Sequence, residues 1–158
     1  MTTVVQVLDY VTAHRLRETE AIVDWTPRTV LTPTRPLLAD ELVDRLVLGL
    51  SRDLTDRSGC TTWTRGCTSE GYGALWSSGS MEYVHRLAWE LENGPVPSFV
   101  HTEEGWKRVV LDHWCHTRDT SCPGGPSCLH RRCGRVDHLR LATDRTNARL
   151  GRRWAKAA

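Results

Sequence analysis

The chain has 158 residues, of which 39% are hydrophobic and 25% charged, a composition typical of one globular domain of ordinary size. No apolar run approaches the roughly 20 residues of a membrane span, which argues against an integral membrane protein. The N-terminus also lacks the basic start and the apolar stretch of a secretory signal. Seven Trp provide large groups to bury, and this argues against extensive disorder.

The net charge of +2 is distributed unevenly along the chain. Residues 1–101 carry 9 Arg and no Lys against 13 acidic residues, whereas residues 102–158 carry 12 basic residues against 6 acidic ones. Nearly all the cations are Arg, which binds phosphates in a bidentate manner. The basic third therefore favours a surface that faces nucleic acid, with a solvated basic surface as the alternative.

Residues 1–58 form the first region, which we predict to be a helical appendage. Apolar residues recur at spacings of three and four over residues 37–50, the pattern of an amphipathic helix. A weaker pattern favours another helix within residues 4–17, and the prolines over residues 27–36 indicate a linker or extended arm. This region could be a packing element, a dimerisation element or a DNA-site selector, and its role stays open. The oligomeric state also stays open, with a homodimer as one possibility.

From residue 59 the sequence changes to short strands, turns and helices. Residues 59–84 are rich in Gly, Ser, Thr and aromatic residues, which predicts short strands separated by turns. A predicted helix comes next. It is followed by a loop and by a short strand that leads into the sequence Asp112-His113. The predicted later elements are a helix over 83–92 that ends at Gly94-Pro95, strands over 108–111 and 139–141, and a helix from the N-cap Thr143 to about Trp154.

The cysteines give the strongest chemical signal in the sequence. Four of the six lie within 19 residues and alternate with histidines. Thiolate and imidazole together form the donor set of tetrahedral Zn²⁺. Three disulfides are the alternative, but these are typical of small secreted proteins. We therefore predict bound zinc.

The chemically active residues fall in one ordered segment. It reads Asp112-His113-x-Cys115, then Cys133-x4-His138-x8-Asn147, and it spans a strand, a long loop, a second strand and a helix. A long loop with little apolar content cannot fix its own conformation cheaply. Zinc supplies on the order of 10 kcal/mol or more in small sites, so we predict a ββα unit pinned by metal.

These motifs resemble the HNH, or His-Me finger, endonucleases, in particular the His-Cys box homing enzymes and the HNH nucleases of phages. The resemblance covers residues 59–150 and rests on CTTW with GYG, VHRLAWELENGPVP, LDHWC and CGRVDHLRLATDRTN. It implies an α+β fold with a zinc-stabilised ββα-metal core and a small antiparallel sheet. The nuclease domain would occupy residues 59–158, after the helical region over 1–58.

The resemblance implies specific catalytic roles. His113 is the general base, because an imidazole takes a proton from water at modest cost near neutral pH. Asn147 and Asp112 hold one Mg²⁺-like ion, for which other divalent ions can substitute. The ion would contact the scissile phosphate and the leaving 3′ oxygen.

The resemblance also implies the zinc ligands. Cys115, Cys133 and His138 form the first site, with Cys60 as the fourth ligand and Cys67 or His85 as the alternatives. We expect His85 otherwise to pack on its apolar helix face. Seventeen residues separate Cys115 from Cys133, far more than in the compact family form. We interpret this insert as a second zinc loop in which Cys133 can serve either site, and its predicted ligands are His116, Cys122, Cys128 and His130.

The function implied by the resemblance is a metal-dependent DNA endonuclease that leaves a 5′ phosphate and a 3′ hydroxyl. Its partner is double-stranded DNA, and its location is the cytoplasm of a bacterial or phage-infected cell. The alternatives are a zinc-stabilised DNA-binding module without catalysis and a nuclease that acts on RNA. The predicted phosphate contacts are Arg131, Arg132, Arg135, Arg145 and Arg149.

Overall fold

The computed structural model describes residues 4–6, 29–32, 40–52, 58–77, 79–102 and 104–155, and over these ranges the chain is an α+β fold. Its strands are β1 Val4–Gln6, β2 Thr29–Thr32, β3 Leu50–Arg52, β4 Thr61–Trp63, β5 Ala74–Ser77, β6 Ser80–Tyr83, β7 Phe99–Thr102, β8 Gly105–His113 and β9 Leu139–Thr143. Its helices are α1 Asp40–Gly49, α2 Val84–Asn93, α3 Trp114–Arg118 and α4 Asp144–Ala155, with 3-10 turns at Leu129–Arg132 and Val136–His138. No helix in these ranges is both long and apolar enough to cross a bilayer.

One antiparallel sheet connects the two ends of the chain. Its strand order is β1-β2-β7-β8-β9, while β3–β4 and β5–β6 form separate two-stranded sheets. β2 pairs with β7 through Val30 and Val100, so a segment near the N-terminus belongs to the same sheet as the C-terminal half. β3 pairs with β4 in antiparallel register, so the predicted boundary between residues 58 and 59 lies within a hydrogen-bonded strand pair.

The described part of the N-terminal region contains strands as well as a helix. Helix α1 lies where the periodicity predicts it. Residues 4–6, however, form a strand, and the prediction that a helix begins there is wrong. Val4 and Val5 are β-branched residues that favour strands, and their backbone pairs with β2. The rest of the helix predicted over 4–17, and the prolines over 27–36, lie outside the described residues.

Helix α1 packs against the middle of the chain around Trp63. Leu42 and Leu46 join Trp63, Val84 and other buried apolar side chains in one cluster. Trp63 is only 1% exposed, and a Cβ added at Gly49 would clash with its ring. The junction between α1 and β3 therefore needs glycine for this close approach.

The predicted hairpin and the helix that follows it are confirmed. β5 and β6 pair in antiparallel register, with Leu75 opposite Glu82. Helix α2 follows directly and ends at Gly94, whose φ of 78° lies in the left-handed region. The Gly94 N–H donates to the Glu90 carbonyl and closes the last turn.

The last two strands and the last helix form one packed unit. β8 and β9 are antiparallel, with His113 opposite Leu139 and Val109 opposite Thr143. The Thr143 hydroxyl accepts a hydrogen bond from the Thr146 backbone N–H at 3.2 Å, as an N-cap does. Helix α4 then packs against both strands. The order of strand, loop, strand and helix is thus the one predicted from the spacing of the motifs.

Candidate functional site

The first metal-binding cluster joins four ligands from distant parts of the chain. The thiols of Cys60, Cys115 and Cys133 are buried together beside His138, and the four ligand atoms lie within 4.8 Å of one another. The Gly134 N–H donates to the Thr61 carbonyl at 2.8 Å, which ties the upstream ligand to the downstream pair. These are the four residues predicted for this site, including Cys60 as the fourth ligand.

The spacing within this cluster fits a tetrahedral ion. The His138 Nδ1 lies 3.6 Å from the Cys60 Sγ and 3.6 Å from the Cys133 Sγ. Zinc–sulfur and zinc–nitrogen bonds of about 2.3 and 2.0 Å at tetrahedral angles give a sulfur–nitrogen separation of about 3.5 Å, close to these distances. The side chains are therefore arranged as a structural zinc site requires.

Two thiols of the cluster have pKa values that are displaced in opposite directions. Hydrogen bonds from Cys115 and Cys60 lower the pKa of Cys133 to about 3, while the same contacts and burial raise the pKa of Cys115. The Cys133 thiolate therefore forms readily, whereas the Cys115 thiol needs a nearby cation before it loses its proton. Zinc supplies that positive charge, which fits the chemistry of the donor set.

A second cluster lies in the long insert. His116, Cys122, Cys128 and His130 place their ligand atoms within 4.8 Å of one another. The Nδ1 atoms of His116 and His130 each lie 3.6 Å from the Cys128 Sγ. Burial raises the pKa of Cys128 to about 11, so this thiol too needs a cation to ionise at neutral pH. The four predicted ligands of the insert therefore form one set of their own.

The short helix α3 connects the two clusters. It begins directly after β8 and carries Cys115 for the first cluster and His116 for the second. The Asp119 carboxylate, just after this helix, lies 3.6 Å from the His130 Nε2. A carboxylate behind a ligating histidine fixes its ring orientation and raises its basicity. The residues directly after β8 thus contribute one ligand to each cluster.

The remaining ligand candidates lie elsewhere. The Cys67 thiol contacts the Arg65 carbonyl at 3.5 Å, outside both clusters. The His85 ring packs against His113, with 4.7 Å between ring centroids, and takes no part in either cluster. Cys133 belongs to the first cluster, which answers the question of which site it serves.

His113 lies at the end of β8, directly beside the first cluster of candidate metal ligands. Its Nε2 lies 3.3 Å from the backbone carbonyl of Cys133, which is itself a cluster ligand. A carbonyl oxygen can only accept, so Nε2 carries the proton and Nδ1 keeps the basic lone pair. The metal cluster therefore fixes both the tautomer and the orientation of this imidazole.

The charge state of His113 suits a proton acceptor. The ring is only 6% exposed, and burial lowers its pKa to about 4, although the Asp112 carboxylate and the Cys133 carbonyl oppose the shift. The imidazole is therefore neutral at physiological pH and able to accept a proton.

Asp112 has a partner within the protein. It stands directly opposite Arg140 in the β8–β9 register, and the Arg140 Nε donates to its Oδ2 at 2.7 Å. Both side chains are buried, and the guanidinium lies 3.8 Å from the centroid of the Trp114 ring. Successive side chains of a strand also point to opposite faces, which directs Asp112 away from His113. Removing one partner of such a buried pair costs about 3–5 kcal/mol, so the structure gives Asp112 a stabilising role.

Asn147 and the arginines occupy the remaining positions of interest. Asn147 is half-buried in the first turn of α4. Arg135 pairs with Asp137 and donates to the Gly59 carbonyl, while Arg131 lies over the Tyr72 ring at 4.9 Å. Arg145 and Arg149 are exposed on α4, although Arg145 also pairs with Glu104. The predicted phosphate contacts therefore include residues with structural partners of their own.

An aromatic cluster around His113 was not predicted from the sequence. Tyr72 lies 6.0 Å from the His113 ring and 5.6 Å from the His85 ring, and Tyr83 lies 5.6 Å from His85, all between ring centroids. The GYG turn and the hairpin that follows it bring these rings to the end of β8. The GYG motif marked the turn, but no sequence spacing relates Tyr72 to His113.

Comparison with known proteins gives one informative similarity. No family model matches the chain, and no solved structure matches it. The chain is similar to "Protein 7.7" of Escherichia phage T7, with 30% identity over 89 residues, which is 56% of this chain. The match covers 52% of the phage protein, so the chain spans about half the length of the curated relative.

Proposed function

We propose that this protein is a metal-dependent endonuclease of the His-Me finger type that hydrolyses DNA phosphodiester bonds. The observation that carries the proposal is the contact between the His113 Nε2 and the Cys133 carbonyl, which leaves a neutral imidazole with a free basic nitrogen beside a zinc-type cluster. The strand, strand and helix unit around it supports a ββα-metal core. Similarity to a phage protein supports a setting in phage-infected cells.

The proposed reaction uses His113 as the general base. The imidazole Nδ1 takes a proton from water, the water oxygen attacks phosphorus, the bond to the 3′ oxygen breaks, and this oxygen takes up a proton from solvent. The products carry a 5′ phosphate and a 3′ hydroxyl. The hydrogen bond to the Cys133 carbonyl fixes the direction of the Nδ1 lone pair. The imidazole therefore has little rotational freedom left to lose when the proton is transferred.

The proposed catalytic ion is Mg²⁺, held chiefly by Asn147. Its amide oxygen is a hard donor of the kind that Mg²⁺ prefers, on a helix that crosses β8 and β9. Asp112 fits this role less well, because Arg140 already occupies its Oδ2. When bound, the ion would stabilise the charge that develops on the leaving oxygen.

The proposed DNA-binding surface is formed by arginines of the basic C-terminal third of the chain. The exposed side chains of Arg145 and Arg149 are available to phosphates, and Arg131 and Arg132 are half-buried near the insert. Arg135 is better assigned to stabilising the fold through Asp137 and Gly59. Such contacts supply sequence-independent affinity that weakens with salt.

The test is cleavage of supercoiled plasmid in Mg²⁺ by the wild type and by His113→Ala. Loss of the base should slow cleavage by about 100-fold or more. The variant should still bind DNA with wild-type affinity, because the arginines remain. His101→Ala is the matched control, since its ring packs on Trp106 rather than in the cluster. Binding without cleavage by the wild type would instead favour a zinc-stabilised DNA-binding module.

A further inference from the structure

His85 presents a polar atom that lacks a partner in the described part of the chain. Its Nδ1 is buried and makes no hydrogen bond there. It lies on helix α2, next to the buried side chains of Val84 and Leu87. A buried donor or acceptor without a partner is costly, so an apolar ring of similar size would be the cheaper residue at this position.

The surroundings of His85 connect it to the proposed reaction. Its ring meets His113 at 4.7 Å between centroids and at an angle of 63°. Tyr72 and Tyr83 flank the His85 ring. The Arg131 guanidinium lies over the Tyr72 ring. Two imidazoles, two phenols and a guanidinium thus converge on one place. These are hydrogen-bonding groups that suit the oxygens of a phosphate diester.

Tyr83 gives this place an opening to solvent. It is 37% exposed at the end of β6, whereas Tyr72 is half-buried and His113 is buried. A substrate that enters beside Tyr83 would therefore meet His85 on the way to His113.

We infer that His85 is a second active-site imidazole, whose Nδ1–H donates to a non-bridging oxygen of the phosphodiester that His113 hydrolyses. This inference rests on the proposed function. The unpaired nitrogen is kept in the free protein because the substrate oxygen completes its hydrogen bond. His85 then holds the phosphate while His113 accepts the proton from water, so the two imidazoles have separate tasks.

The test compares His85→Phe and His85→Asn with the wild type in single-turnover cleavage of supercoiled plasmid with Mg²⁺. Phenylalanine keeps the ring packing and removes the nitrogen, so we expect cleavage slower by about tenfold or more with an unchanged or higher Tm. Asparagine places an amide nitrogen near the former Nδ1 and should cleave faster than His85→Phe. His101→Phe is the control and should cleave at the wild-type rate.

The outcomes distinguish a failure of this inference from a failure of the proposed endonuclease function. If His85→Phe cleaves like the wild type while His113→Ala is inactive, the endonuclease stands and the role of His85 is refuted. A lower Tm or lost zinc in His85→Phe, or equal loss of rate in both His85 variants, also refutes it. A wild type that does not cleave in Mg²⁺ overturns both proposals together.

Discussion

Replacing Cys133 with Ser should remove one zinc ion and unfold the C-terminal half of the chain. Cys133 is completely buried and shares a cluster with Cys60, Cys115 and His138. Its backbone also accepts from His113. Structural zinc contributes on the order of 10 kcal/mol or more in small domains, which is as large as the usual net stability of a domain. Metal analysis should give two zinc ions per wild-type chain and one or fewer in Cys133→Ser, with no cooperative thermal transition in the variant.

Two matched variants control this result. Cys67→Ser removes a thiol outside both clusters and should keep two zinc ions and the wild-type Tm. Cys128→Ser removes a ligand of the second cluster and should lose only the ion of the insert. The zinc assignment fails if Cys133→Ser retains both ions, or if the purified wild type contains disulfides in place of metal.

Replacing Asn147 with Ala should abolish cleavage and leave the structural metal in place. Asn147 lies on α4 and belongs to neither cluster, so its loss removes neither a thiolate nor an imidazole ligand. Stabilisation of the leaving oxygen by a bound ion is worth several kcal/mol, which corresponds to a rate loss of roughly 100-fold or more. Plasmid cleavage at saturating Mg²⁺, alongside zinc analysis and a thermal melt, measures both effects.

Asn147→Asp is the matched variant, because it keeps a hard oxygen donor at the same position. We expect it to retain Mg²⁺-dependent cleavage. Near wild-type rates in Asn147→Ala would show that the amide is structural. The catalytic ion would then need another ligand, and the pairing of Asp112 with Arg140 would have to be reconsidered.

The sequence predicted those parts of the site whose ligands follow one another closely. The motif from Cys115 to His138 contains seven of the eight ligands within 24 residues, and donor chemistry alone favours zinc there. Helices α1, α2 and α4 were also predictable, because each has a regular apolar spacing or a recognisable cap. Local signals of this kind need no knowledge of the tertiary fold.

Apart from the predicted ligand Cys60, the contacts between distant segments were beyond the reach of the sequence. The pairing of β2 with β7 depends on strands about 70 residues apart, and nothing local specifies it. The assignment of Asp112 to a metal missed its cross-strand partner Arg140, because register is a property of the folded sheet. His85 was expected to pack on an apolar face, but its contact with His113 depends on how α2 meets β8.

The measurement that tests the central claim most directly is the end chemistry of DNA cut by the zinc-loaded protein. Supercoiled plasmid is incubated with the wild type in Mg²⁺ and, in parallel, without added Mg²⁺, and the nicked product is then treated with DNA ligase. The account predicts nicking only with Mg²⁺ and complete resealing, because a 5′ phosphate and a 3′ hydroxyl are the groups that ligase joins. Nicks that ligase cannot seal, or plasmid that stays supercoiled in Mg²⁺, would contradict it.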